Sequence, residues 1–225
     1  RPGVAGVQIR GGVFVAWPNS VLVGESSSVS NLSTVDLPSG VGVRVGGHSL
    51  IDSCVATGFG NGIRLWAGGD ATLIRNSVVR GGDNCFRLQF GAHLENCVAA
   101  YGALGVDCPN AAQHVRGLRV LRCEIGISVD SEATVEHCEV FECFNAGINC
   151  IGTRSTIRRN VVVSTPTGIR VSGAGNLITH NETSGAATPF DLAVGNSHGP
   201  IVNVAGVGDI SSVAGANHPW ANFIY

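Results

Sequence analysis

The sequence predicts an all-β fold, a right-handed parallel β-helix: a solenoid of about 8–10 coils of ~21 residues with a C-terminal cap. Three observations predict it. A Gly-apolar-x-apolar element recurs down the chain. An apolar-x-x-(Cys, Ser or Asn) element follows each copy. The composition, with 32 Gly and only 6% aromatic residues in 225, suits short strands joined by tight corners. Helical periodicity is absent, which argues against a leucine-rich repeat of similar period.

The first ladder is centred on Arg44, Arg64, Arg87, Asp107, Ser128, Asn149, Arg170 and Asp191, with gaps of 20, 23, 20, 21, 21, 21 and 21. Apolar residues flank each centre, as in Val43-Arg44-Val45 and Ile169-Arg170-Val171. The second ladder has Ile51, Ile74, Leu94, Val120, Val135, Ile157 and Ile178 at its apolar position. Three residues on stand Cys54, Ser77, Cys97, Cys123, Cys138, Asn160 and Asn181. One coil cannot bury its own apolar face, so copies stack at about 4.8 Å and like sits on like. Inward Asn or Ser at a bend satisfies backbone groups that turn away from the ladder.

The reading is one domain over residues 1–225, with 1–41 as irregular first coils, 42–194 as regular coils and 195–225 as a cap. The 26-residue gap from Cys97 to Cys123 reads as an inserted loop over 109–115. The start at Arg1 reads as a trimmed or processed chain.

Composition excludes several classes. Net charge is −2 and only 13% of residues are charged, so no field draws the chain to nucleic acid or an anionic membrane. Mean hydropathy is +0.25, yet no apolar run approaches the ~18 residues of a membrane span. All 14 basic residues are Arg, so no Lys is present to act as base or Schiff base. The eight Cys fall mostly on ladder positions without a CxxC, which favours buried thiols over metal ligands. No metal and no cofactor are expected. An extracellular, cell-surface or virion setting is favoured.

These ladders, across roughly 42–192, resemble the pectate-lyase-like right-handed β-helix superfamily. The tail, from Gly199-Pro200-Ile201-Val202-Asn203 to His218-Pro219-Trp220-Ala221-Asn222-Phe223, is similar to the endings of uncharacterised bacterial β-helix repeat proteins. The resemblance implies a polysaccharide partner, since the superfamily holds lyases, hydrolases and epimerases; it also holds trimeric phage tailspikes. The catalytic motifs of that superfamily are missing here: no Asn-Thr-Asp, Asp-Asp and Gly-His-Gly set, no Arg-x-Pro-x-x-Arg, no Asp-Pro-His.

Candidate chemistry lies on the outer side of the first ladder. Arg64, Trp66, Arg87, Gln89, Asp107 and Asp130 are expected as neighbours, with His114 on the inserted loop walling the patch. Trp66 offers a flat face to a sugar ring. The arginines and Gln89 offer donors to an acidic substrate. Asp107 and Asp130, on the order of 8 Å apart, fit the acid and base of an inverting glycosidase, roughly 6.5–9.5 Å. A plain cross-strand ion pair between Arg87 and Asp107 is the simpler reading. A second stripe, Arg122, His137, Arg159 and His180, suits an anionic chain below neutral pH. An outer apolar stripe of Val55, Val78 and Val98, with the aromatic tail, suggests a side-by-side homotrimer. The alternative function is a non-catalytic structural or adhesive module.

Overall fold

The computed structural model describes residues 6–15, 19–35, 39–58 and 61–225. Among these, 30 short strands form three parallel sheets that run the length of a solenoid. The first coil shows the plan, with Gln8–Arg10 on face 1, Val13–Val15 on face 2 and Asn19–Leu22 on face 3. Nine coils repeat it, the ninth being Leu177–Thr179, Glu182–Ser184 and Thr188–Leu192. The only helical element among the described residues is a single 3-10 turn at Ile210–Ser212. Among the described residues no helix is long and apolar enough to cross a membrane.

The core is three stacked columns. Face 1 contributes Val29, Ile51, Ile74, Leu94, Val115, Val135, Ile157 and Ile178, each completely buried. Face 2 contributes Ala56, Val79, Ala99, Val120, Val140 and Val162, and face 3 contributes Val43, Leu65, Phe86, Val106, Ile127, Ile148 and Ile169. Residues alternate in and out along each strand, so the three-residue strands of faces 1 and 2 send in one central apolar residue, while the longer strands of face 3 send in a second, such as Val45, Leu88, Val129 and Val171.

Register corrects three sequence expectations. Residues 1–41 are not irregular where they are described: Ile9 pairs with Val29, Phe14 with Thr34 and Val21 with Val43. These coils lack the glycine marker but keep the apolar spacing. There is no inserted loop at 109–115, because Leu94 pairs with Val115 and Ala99 with Val120. Leu118, not Cys123, takes the bend position of that coil; Cys123 lies at the following corner, before Ile125–Val129. In the third coil Leu65 pairs with both Val43 and Phe86, so Trp66 is the central outward residue and Arg64 is not.

Each corner depends on one left-handed residue. Between faces 1 and 2 these are Gly11 and Gly117, at φ 73° and 62°, and Asn31, Ser53, Asn76, Asn96, His137, Arg159 and His180, at φ 51–58°. Between faces 2 and 3 they include Tyr101, Arg122, Glu142 and Ser164, and between faces 3 and 1 they include Ala71, Ala112, Glu132 and Arg154. The conformation turns the N–H along the solenoid axis. Asn76 N donates to Glu95 O at 3.1 Å, Arg122 N to Phe141 O at 3.0 Å and Ala112 N to Ser131 O at 3.2 Å. The ladder of backbone hydrogen bonds therefore continues across the corner.

Buried polar side chains complete the bends. Asn160 Nδ2 donates to Asn181 Oδ1 and Asn181 Nδ2 to Asn222 Oδ1, at 3.0 and 3.1 Å. The second amide hydrogen of each reaches a carbonyl of the coil before, Val135 O and Ile157 O. Ser155, Asn176 and Asn196 repeat the device at another corner. Asn181 is completely buried, which rules out glycosylation at the sequon Asn181-Glu182-Thr183 in the folded protein. All eight Cys are buried and unpaired. Burial pushes the Cys97, Cys138 and Cys143 thiols up to about 12, so they behave as small apolar groups.

The C-terminal segment closes the far end out of order. The strand Asn222–Ile224 pairs with Glu182–Ser184 on one side and with the earlier Ile201–Asn203 on the other. Asn222 supplies the last rung of the asparagine ladder.

Two substitutions test this reading of the corners. Ala71→Gly and Ala112→Gly, at exposed sites with φ 50° and 65°, should each stabilise the fold by up to about 1 kcal/mol. Asn181→Ala should cost about 2–4 kcal/mol by leaving buried partners on both neighbouring coils unsatisfied. Urea unfolding midpoints measure both.

Candidate functional site

Face 3 brings together only part of the expected patch. Trp66 and Arg87 are direct cross-strand neighbours, and so are Arg87 and Asp107. Arg44 lies over the Trp66 ring at 3.8 Å from its centroid, and Arg87 approaches from the next coil at 5.7 Å. The half-buried indole thus has a guanidinium group against it from each neighbouring coil. Arg87 Nε lies 3.5 Å from Asp107 Oδ2, which also accepts from Asn84 Nδ2 at 3.1 Å. Burial raises the Asp107 carboxyl above its ordinary pKa, against the pull of Arg87.

The remaining members are elsewhere. Arg64 is completely buried. It occupies the column otherwise held by Cys85, Gly105, Gly126 and Gly147, and its Nη2 donates to Gly58 O at 3.1 Å. A side chain at Gly82 would strike its Nε, at 2.7 Å, so that glycine makes room for it. Burial pulls its pKa down, against the nearby Cys85 and Asp83. Asp107 pairs with Ser128. Asp130 lies two residues beyond, at the end of face 3, where its Oδ1 accepts from Ser131 Oγ at 3.1 Å. Gln89 is half-buried at the equivalent end of its own coil. His114 is on face 1, not on a loop over face 3. The seven residues therefore divide among a face, a corner, the interior and a second face.

Face 1 carries the denser cluster of charge. Glu136, with its side chain only 7% exposed, accepts from His114 Nε2 at 3.1 Å and Arg158 Nε at 2.8 Å. Arg116 and His137 stand at 3.9 and 3.8 Å. His93 meets His114 edge to face at 5.6 Å. Burial works to raise the Glu136 pKa, but Arg158 and His114 outweigh it and hold the carboxyl below its usual range.

This stripe leads into a cleft. Thr156, Arg158, Arg159, Leu177, Thr179, His180 and Trp220 line about 260 Å³ between the last coils of face 1 and the tail. The Trp220 ring is 59% exposed, and Leu177 is exposed beside it. His180 Nδ1 is buried with no hydrogen-bond partner. Of the expected stripe, His137, Arg159 and His180 share one corner, while Arg122 sits on another and pairs with Glu142 at 2.7 Å. The reading of the sequence placed Trp220 in a cap and did not bring it to Arg159. No spacing links a tail residue to a coil, because the excursion from Asn203 to Ala221 has no repeat. Among the described residues, no group of three His, Cys, Asp or Glu is placed to hold a metal ion.

A family model described as a right handed beta helix region matches residues 11–181, and the chain belongs to that family. It is also similar to a solved structure of trypsin-treated QnrB1, a plasmid-mediated fluoroquinolone resistance protein. That likeness is 14% in identity over 83% of this chain and 78% of that one, with a TM-score of 0.32. A likeness of that size carries no argument about function. No curated protein matches the chain.

The two carboxylates should respond to pH in opposite senses. Glu136 is held low, so its contribution is present above the ordinary glutamate range and is lost as pH falls through its folded value. Asp107 is raised, so it favours the fold when protonated and costs stability as pH rises through its folded value. Glu136→Gln should therefore cost about 1–2 kcal/mol at neutral pH, and less in acid. Asp107→Asn should raise the melting temperature at neutral pH, with the gain vanishing below the ordinary aspartate range. Thermal melts across pH 3–8 check both.

Proposed function

We propose that this β-helix is a carbohydrate-binding module that holds an acidic saccharide in the face 1 cleft without cleaving it. The observation that carries the reading is the exposed Trp220 ring set beside Arg158, Arg159 and His180. An indole face takes the apolar side of a sugar ring, and guanidinium groups take its carboxylate or sulfate. A volume near 260 Å³ suits one or two sugar rings, the rest of a longer chain lying in solvent. The face 3 patch supports binding less well, because Trp66 and Asp107 are already occupied by Arg44, Arg87 and Asn84.

The catalytic version keeps one supporting observation. Burial raises Asp107, as a general acid requires. That version expects Asp107→Asn to abolish product formation and leave binding intact.

Calorimetry with tetragalacturonate and a neutral galactose tetrasaccharide tests the proposal, with mass spectrometry of the sugar after long incubation. The acidic oligosaccharide should bind and stay intact. Trp220→Ala should weaken binding about tenfold or more, the equivalent of about 1.4 kcal/mol. Shorter products would replace binding by catalysis, and silence toward both sugars would overturn the carbohydrate reading.

A further inference from the structure

The outer surface of face 2 has an order that the saccharide reading does not use. Its strands carry two outward columns. Counting coils from the first, one column reads Val55, Val78, Val98, Arg119, Glu139, Val161 and Glu182 from coil 3 to coil 9. Phe223 continues it on the tail strand that forms the tenth rung. The other column reads Thr57, Arg80, Ala100, Leu121, Phe141, Val163 and Ser184, ending near Tyr225. The corner beside it carries Arg122 and Glu142. Val55 is 40% exposed, and the side chains of Arg119 and Glu139 are 65% and 55% exposed.

This order is self-complementary about the gap between coils 6 and 7. Reverse one copy along the solenoid axis and lay its face 2 on the other, strands aligned. Coil 6 then meets coil 7, so the in-chain pairs Arg119–Glu139 and Arg122–Glu142 each lie head to tail on the same pair of the second copy and close rings of four alternating charges, while Leu121 faces Phe141. Coil 5 meets coil 8, setting Val98 on Val161, with Ala100 already buried beneath Val163 of the second copy. Coil 4 meets coil 9, which sets Val78 on Glu182 and Arg80 on Ser184, with Arg80 diagonal to Glu182 as its counter-charge. Coil 3 meets the tenth rung, setting Val55 on Phe223 and Thr57 near Tyr225. Packing in the same direction instead sets each coil on itself, with Arg119 against Leu121 and Arg80 against Val78, and buries charge on apolar groups without a partner.

We infer that two copies of this chain associate through face 2 with their solenoid axes antiparallel. The occupied area supports a reversible contact. Eight rungs at about 4.8 Å give a face roughly 38 Å long and about 13 Å wide. That is on the order of 500 Å² per copy, at the lower edge of specific interfaces. The side-by-side homotrimer suggested by Val55, Val78 and Val98 would set this face against a different one and give these in-chain ion pairs no complementary pair across the contact.

Sedimentation equilibrium of the full chain from micromolar to millimolar concentration tests the inference. A dimer mass that grows with concentration is expected. Arg119→Glu should raise the dimer dissociation constant at least tenfold, and adding Glu139→Arg should restore it, since the reversed pair meets its complement across the two-fold axis. Direction is read by cross-linking: Val98→Cys with Val161→Cys should give a covalent dimer under mild oxidation, and either change alone should not. The native Cys are buried and do not interfere. A monomer at every concentration, a trimer mass, indifference to Arg119→Glu, or cross-linking by Val98→Cys alone would each overturn the arrangement.

Discussion

The structure depends on one constraint: backbone hydrogen bonds must keep running along the solenoid axis where the chain turns. On a flat strand this costs nothing. At a corner it requires a residue in the left-handed region, which side chains other than Gly and Asn resist by about 1–2 kcal/mol. The chain accepts that cost at His137, Arg154, Arg159, Glu132 and Glu142. What it gains is an N–H that still finds a carbonyl on the next coil. Corners thereby become the most exposed places in the fold and also its most regular, so long charged side chains collect there in columns. The ion pairs Arg122 with Glu142 and Arg154 with Glu132 are products of this stacking.

The same constraint decides where a site can form. Outward columns repeat every coil, and a residue on one coil meets its counterpart on the next. Charged groups on such a surface find partners readily, as Arg87 and Asp107 do, and are thereby used up. A ligand site needs a break in the repeat. The tail provides one by bringing Trp220 over Arg159 and His180.

This explains how much was legible in the sequence. The solenoid, its period and most of its interior could be read, because every inward column is written in aliphatics at near-constant spacing. The errors were errors of register. Gly62 imitates the marker before Ile63-Arg64-Leu65, although Arg44, Trp66 and Arg87 are the evenly spaced centres, 22 and 21 residues apart. A slip of two residues keeps the alternation and hides itself, so it placed the buried Arg64 on the surface. In the sixth coil Val120-x-x-Cys123 imitated the bend pattern that belongs to Val115-x-x-Leu118, which created a loop and put His114 on it. The cleft was not legible at all, since its aromatic wall arrives from a segment with no period.

The tail has a consequence for how the molecule comes to be made. The strand Ile201–Asn203 is synthesised before Asn222–Ile224 yet lies outside it. Strands therefore stack in chain order only as far as Ser197–His198 on face 1. The tenth rung is then filled from behind, with Asn222 sliding into the place that the asparagine column has left open. A solenoid whose other neighbouring strands follow one another in chain order thus carries one rung, Asn222–Ile224, that works as a clasp inserted out of that order.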